Sequence, residues 1–553
     1  MTKLALSIPA VYAAAAALCA LAPGWPQKRK RIAVLCAAGL AAVLSLLLFR
    51  AAVSGGPADG GMLPLKLSFP WLDGALLRVG PLFYADGMTV AALSALCALN
   101  LAGALHALSR SSADGAPPPQ ASALAMGLVC AAAMSGTLHW ALAFLCCADA
   151  CAFPSPDRKP LRTAALLLPY LPAALGALAL AASAGTFSIP MLDVQRDSAF
   201  LPRAALDLPA GLLAAGAAAR LFAPPFSGLA RELAKRDFSS SLTTLCAAPL
   251  AWFLLLARLE PALGPALDSR LLGWAGLAAA SALALRAILA SDAVDAAACA
   301  AGFVWACALA LAGERCFLPG TLLAFSLAPA AALLLASADS VEKSFGSSSF
   351  DRLGRARFAM PITHIAVMLA ALSFAGLPPL GGFFALKSAL GGLYAMHRNI
   401  ETALLAAAFA VAGAAAVRSF HMVFNGEAHT SPEKAAEAPV PELASLILLA
   451  CCSVFGGWLL SRRAVLPQML PLPPAPREPL LSGLAAAALA SGAVLAEIFY
   501  QTRWRWERKT ARRKPAEALA WLLELRPVAL AFWLLGVLSL RLAGVLSGGK
   551  ENA

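Results

Sequence analysis

Apolar stretches about as long as a bilayer is thick recur along this chain. A helix rising about 1.5 Å per residue needs roughly 20 apolar residues to cross a hydrocarbon core of about 30 Å. Such runs lie at roughly 4–22, 31–49, 83–108, 121–136, 137–153, 161–184, 204–222, 240–258, 271–290, 293–312, 318–338, 359–395 (interrupted), 402–424, 441–460, 478–500 and 517–543. Backbone N–H and C=O groups in lipid find no water, so each run is predicted to be a helix. Hydrophobic residues fill 60% of the 553 positions and charged residues 13%. A water-soluble domain carries roughly 25% charged residues, so most of this surface must face something other than water. The sequence predicts an all-α polytopic membrane protein with about 14–16 transmembrane helices.

The formal charge of +13 does not point to nucleic acid, because Lys and Arg sit in short blocks between apolar runs. Numbering the gaps alternately, one set collects Lys28–Arg31, Arg110, Arg158, Lys159, Arg231, Lys235, Arg236, Lys343, Arg352, Arg355, Arg357 and the basic loop 501–516. The other set holds fewer, among them Lys66, Arg78, Arg196, Arg203 and Arg398. The richer set is expected on the cytoplasmic side of a cell inner (plasma) membrane, which leaves both termini outside. The start, 1–22, has the apolarity of a signal peptide. Cleavage would expose the basic block 28–31, which opposes export, so 4–21 is expected to stay as a first helix.

Thirteen cysteines include no C-x-x-C pair, and most lie within apolar runs, where they pack as small apolar side chains. No His-Glu-x-x-His, P-loop or dinucleotide fingerprint is present, so no metal, cofactor or catalytic centre is expected. A lipid-modifying enzyme would need clustered acids or a nucleophile with its base. The long extramembrane stretches 50–82 and 461–480 offer neither.

The chemistry is expected where polar residues interrupt apolar runs. At 372–387, Pro378 and Pro379 remove two backbone donors and Gly376, Gly381 and Gly382 loosen the helix, with Lys387 two turns beyond the prolines. The carbonyls released there need water, side chains or an ion, so the break should face a cavity or a packed interior. A second break, at 216–226, sets Arg220 beside Pro224 and Pro225. Paired broken helices mark inverted-repeat transporters with mid-membrane ion sites. The expected organisation is N-terminal helices 1–120, inverted repeats 121–258 and 271–424, and C-terminal helices 441–553. Asp149, near the end of the fifth run, is the natural partner for Arg220 across the bundle. His139 and His364 can titrate near neutral pH. Asp149, Arg220, Lys387, His364 and His139 are therefore the ion-translocation candidates.

The stretch from Met360-Pro361 through Ala375-Gly376-Leu377-Pro378-Pro379-Leu380-Gly381-Gly382-Phe383 resembles the antiporter-like membrane subunits of respiratory complex I, a family shared with Mrp-type cation/proton antiporters and membrane-bound hydrogenases. Asp86-Gly87-Met88 resembles the acidic start of that family's third helix, Gly185-Thr186 the end of its sixth, Arg220 to Phe226 its broken seventh, and Arg258 an Arg closing its eighth. The resemblance covers roughly 80–500. It implies a proton- or cation-translocating subunit, moving protons or Na+, with other membrane subunits and the lipid bilayer as partners and redox cofactors held elsewhere. It also implies a mid-membrane path of one glutamate and several lysines. Here the glutamate position falls at Ala148 or Asp149, and the seventh-helix lysine at Arg220, which does not readily deprotonate. Other lysine positions fall near Leu168-Pro169, Leu250 and Leu386. A subunit of the same fold that no longer conducts is the alternative reading.

Overall fold

The computed structural model describes residues 2–54, 65–68, 72–73, 78–79, 82–109, 118–152, 166–192, 203–235, 237–267, 270–425, 436–461 and 492. The predicted runs 478–500 and 517–543 and the basic loop 501–516 lie outside the described residues, apart from Gly492. The chain opens with α1 (Thr2–Leu21) and α2 (Gln27–Ser54). Antiparallel ribbons Leu65–Ser68 with Leu82–Ala85 and Leu72–Asp73 with Arg78–Val79 follow, in a stretch the sequence did not mark as strand. Then come α3 (Gly87–Leu108), α4 (Pro119–Met134), α5 (Leu138–Ala152), α6 (Tyr170–Ala184), α7 (Arg203–Arg220) and the short α8 (Leu229–Ala234). Helix α9 (Phe238–Leu242) runs through a π-turn, Thr243–Ala247, into α10 (Ala248–Leu267). The rest are α11 (Arg270–Leu289), α12 (Ala293–Gly313), α13 (Phe317–Phe345), α14 (Pro361–Phe374), α15 (Gly381–Ala395), α16 (Asn399–Phe424) and α17 (Val440–Ser461). Among the described residues, eight spans are long and apolar enough to cross a membrane, and five shorter apolar helices accompany them. The chain is a multi-pass membrane protein.

Helix α12 is buried along its length apart from Val294, and α13 and the α9–α10 rod are almost as deeply covered. Alanine and glycine let these backbones close up. A Cβ on Gly276 would sit 2.4 Å from the Ala310 nitrogen, and one on Gly313 would sit 2.2 Å from the Gly273 nitrogen, so α11 and α12 touch backbone to backbone. In lipid, where no hydrophobic force drives helices together, such close packing is a main source of cohesion.

The two predicted breaks have the same backbone geometry. Two residues beyond α7 stands Phe222 at φ 63°, and two beyond α14 stands Gly376 at φ 77°. Ala223 N–H donates to Ala218 O at 2.9 Å, and Leu377 N–H donates to Leu372 O at 3.0 Å. Each is a six-to-one bond around a left-handed residue, the stop that satisfies a helix's last carbonyls. A cis Pro-Pro pair follows each stop, at Pro224-Pro225 and Pro378-Pro379. At the second break a Cβ on Gly382 would lie 1.7 Å from Ser373 O, so only glycine fits there.

A second junction also repeats. Leu138 N–H donates to Phe187 O at 3.0 Å, and Ile189 N–H to Gly136 O at 2.9 Å. Ala293 N–H donates to Ser348 O at 2.9 Å, and Phe350 N–H to Ser291 O at 3.0 Å. In each case the bonded strand follows a helix closed by a glycine at φ 68°, Gly185 or Gly346. The chain builds the same local architecture twice from dissimilar sequence.

Candidate functional site

The most deeply buried charges meet where α5, α6, α7 and the π-turn converge. Arg220 closes the last turn of α7, just before the left-handed Phe222, and is fully buried. Its Nε donates to Asp149 Oδ2 at 2.9 Å and its Nη2 to Asp149 Oδ1 at 2.8 Å. Asp149 is likewise fully buried, and its Oδ2 also accepts the Tyr170 hydroxyl at 2.6 Å. Trp252 Nε1 donates to that hydroxyl at 3.2 Å. The guanidinium carbon stands 5.9 Å from the centre of the Phe222 ring.

The π-turn explains the remaining bond. Ala248 N–H reaches back to Thr243 O, five residues away. Thr244 O would then look to residue 249 for its donor, and Pro249 has none. Arg220 Nη2 supplies it at 2.8 Å. In the ordinary helical register Pro249 would also have served Leu245 O, and there Trp305 Nε1 donates instead, at 2.6 Å. One buried proline thus turns two mid-helix carbonyls outward, and a charged and a neutral side chain satisfy them.

The arrangement holds a full positive and a full negative charge out of water. Their attraction offsets the desolvation only while the bidentate geometry and the supporting bonds persist. While the bridge is closed, Arg220 donates to both oxygens of the Asp149 carboxylate. The site can therefore store or release charge through motion of one helix end, and Arg220 itself stays charged throughout.

The structure brings Asp149 and Arg220 together and leaves the other three candidates apart. Lys387 lies half-buried on α15, with no hydrogen bond or ion pair among the described residues, while its neighbour Leu386 faces the interior at 1% exposure. The 100° step between them turns the Lys387 side chain away from the direction that Leu386 faces. His139 packs against Phe187 at 4.5 Å and Trp140 at 5.9 Å, and neither ring nitrogen has a partner among the described residues. It sits ten residues, about 15 Å, along α5 from Asp149. His364 packs tilted against Phe420 at 5.0 Å and edge-on to Phe424 at 5.3 Å. Leu250 is buried in the interior with 1% exposure, so no charge stands at that depth of α10.

Two further charged groups frame the pair. Asp86 caps α3 through Thr89 N–H at 2.7 Å, and Arg258 Nη1 donates to Ser135 O at 3.0 Å, while its Nη2 bonds Thr89 Oγ1. Arg258 Nη2 stands 3.9 Å from Asp86. Arg231 on α8 pairs with Asp295 at the start of α12, where Asp292 caps the helix. Burial pushes the Asp292 carboxyl above the usual aspartate range, with Arg231 and Lys235 pulling it partly back. Sequence reasoning missed Tyr170, Trp252, Thr244 and Trp305. The one available signal was Pro249 inside a run taken as uninterrupted.

Residues 309–413, which include the second break, match the family model described as NADH:quinone oxidoreductase/Mrp antiporter, TM. Formate hydrogenlyase subunit 3 of Escherichia coli (strain K12) is 31% identical over 162 residues, which span 27% of this chain and 26% of that protein. The match thus covers about a quarter of the relative's length. Among solved structures, the chain is similar to one in the archaeal membrane-bound sulfane sulfur reductase, with TM-score 0.74 and 16% identity over 89% of this chain and 84% of that one. It is also similar to one in the Mrp complex from Dietzia sp. DQ12-45-1b, with TM-score 0.71 and 15% identity over 90% and 99% of the two chains. A chain of respiratory complex I from Thermus thermophilus gives 0.69 and 20% over 89% and 99%. The resemblance read from the sequence is shown, and the fold is that of these membrane subunits.

Proposed function

We propose that this chain, a membrane subunit of the complex I, Mrp antiporter and hydrogenase-like family, translocates a proton or cation by opening and closing the Asp149–Arg220 pair. The observation that supports this reading is the fully buried bidentate bridge at the end of a broken helix. Opening it would leave a buried carboxylate without its counter-ion, a charge that a proton can neutralise. Closing it expels the proton. The two halves, 121–258 and 271–424, act as inverted repeats. Under the topology the basic residues set, their matching junctions at Gly136–Ile189 and Ser291–Phe350 face opposite sides of the membrane. Partner membrane subunits supply the driving reaction, in a cell inner membrane with the basic loops cytoplasmic.

A second reading, a non-conducting subunit of the same fold, draws on the apolar interior positions Leu250 and Leu386. One experiment separates the two. The intact complex, isolated through this subunit and reconstituted in vesicles, is assayed for proton flux with Asp149→Asn. Loss of flux in a fully assembled complex supports translocation. Unchanged flux overturns it and leaves the structural role.

A further inference from the structure

A second charged cluster lies at the other end of the bundle core, where α3, α13 and α17 meet. His106 is 1% exposed and stacks on Phe238 at 4.3 Å. Its Nε2 stands 2.6 Å from Asp339 Oδ2 and 3.9 Å from Glu442 Oε2. Lys343 Nζ lies 2.7 Å from the same Asp339 oxygen and 2.8 Å from Glu442 Oε1. Ser340 Oγ donates to Glu442 Oε2 at 2.9 Å, and Ser109 Oγ bonds Glu442 Oε1. An ionised carboxylate and a bare imidazole nitrogen both only accept, so the short contact needs a proton between Asp339 and Nε2. The imidazole is thus held between two acids, with Nδ1 buried and without a partner among the described residues.

This cluster borders water. A polar cavity of about 270 Å³ is lined by Lys235, Ser241, Asp292, Asp339, Glu342 and Ser348. That is room for several waters. Asp339 belongs to both the cavity and the cluster, and Phe238 joins them from the side. The helix ends concerned all adjoin the gaps of the basic set, so the cavity opens on the side where Lys343 and Lys235 lie.

We propose that His106, clamped by Asp339, Glu442 and Lys343, is a proton-binding site loaded from this cavity. It deepens the translocation reading and rests on it for its place in a transport route: uptake here, charge coupling at Asp149–Arg220. Water in the cavity delivers a proton to Asp339, which lies in contact with His106 Nε2. Asp339 passes it to Nε2, the ring already holds its other proton on Nδ1, and the imidazolium then stands between the two carboxylates. Lys343 competes for the same two carboxylates and so limits how firmly the proton is held. Lys235, Asp292 and Glu342 are the other charged groups lining the cavity.

The test is infrared difference spectroscopy of the intact complex between pH 6 and pH 8, reading imidazole bands. The expected result is a histidine signal that disappears in His106→Gln and moves to higher pH in Lys343→Gln, where the competing cation is gone. A spectrum unchanged in His106→Gln, or a signal unmoved in Lys343→Gln, overturns the proposal. If His106→Gln does not assemble, the Lys343→Gln shift alone decides. The Asp149→Asn complex separates the two claims. A histidine signal that persists while Asp149→Asn leaves flux unchanged keeps proton binding at His106 and removes the transport role.

Discussion

Removing one charge from the Asp149–Arg220 pair should damage the protein far more than removing both. In Asp149→Leu, Arg220 keeps one of its three hydrogen bonds, the one to Thr244 O, and its charge stays buried without a counter-ion. In Arg220→Leu, Asp149 keeps only the Tyr170 hydroxyl, and Thr244 O loses its donor. Breaking a buried pair from one side costs about 3–5 kcal/mol. The double variant carries no buried charge. It still leaves the Tyr170 hydroxyl and Thr244 O short of a partner, at about 1–2 kcal/mol each. The singles therefore sum to at least about 6 kcal/mol and the double to about 2–4, a coupling of at least about 2 kcal/mol. Hydrogen bonds between membrane helices average only about 0.6 kcal/mol in such cycles, because the unfolded chain in lipid also finds partners. A coupling above that level is the signature of paired charge. The measurement is denaturant unfolding of the four proteins in mixed micelles. Additive losses, agreeing within about 0.5 kcal/mol, would show that the bridge is not a coupled unit and that opening it stores no charge.

Gly382→Ala should destabilise the chain by about 3 kcal/mol or more, since its Cβ would overlap Ser373 O, whereas Gly211→Ala, with nothing within 4 Å, should gain about 0.5–1 kcal/mol. Thermal unfolding in detergent compares them, and equal effects would contradict the close approach at the break. Lys387→Ala should leave stability within about 1 kcal/mol and proton flux unaltered, because the side chain is half-exposed and unpaired among the described residues; a flux loss matching that of Asp149→Asn would reinstate it in the route. Trp305→Phe should cost about 1–2 kcal/mol by orphaning Leu245 O, and adding Pro249→Ala, which restores a donor at that place in the helix, should recover part of the loss. Failure of that rescue in the same unfolding assay would disconnect Trp305 from the proline.

Much of the fold was legible because lipid imposes a simple rule: backbone groups must bond within the segment, so apolar runs read as helices. The breaks were legible for the same reason, since a Pro-Pro pair removes two helix donors and neighbouring glycines weaken the helix further. Their shared six-to-one stop was not, because Phe222 and Gly376 reach the left-handed region from unrelated side chains. The Asp149–Arg220 partnership could be guessed from charge alone. The Tyr170 and Trp252 bonds that fix it depend on rotation about helix axes, which spacing does not reveal at single-residue precision. Lys387 shows the limit from the other side. One position along α15 separates a buried leucine from a half-exposed cation, and the sequence gives no register.

The two breaks are alike in backbone and unlike in chemistry, and that contrast bears on mechanism. At the first, the helix end delivers a guanidinium into the interior, where a carboxylate and a carbonyl freed by Pro249 hold it. At the second, the equivalent turn is closed by Gly382 N–H on Ser373 Oγ at 3.2 Å, and apolar Leu386 follows. Pro-Pro geometry therefore belongs to the scaffold and charge to only one copy of it. If opening of a broken helix drives ion movement here, the force must act on α7, because no charge at the end of α14 or on the buried face of α15 responds to displacement. Arg220→Lys asks this directly. A lysine can release its proton when desolvated, at a position where an arginine does not. Proton flux in the reconstituted complex should survive this substitution if the pair acts by electrostatics, with the loss of one bidentate contact costing affinity of the closed state. Collapse of flux in a well-folded Arg220→Lys complex would mean that the fork geometry, rather than the charge, is what transport requires.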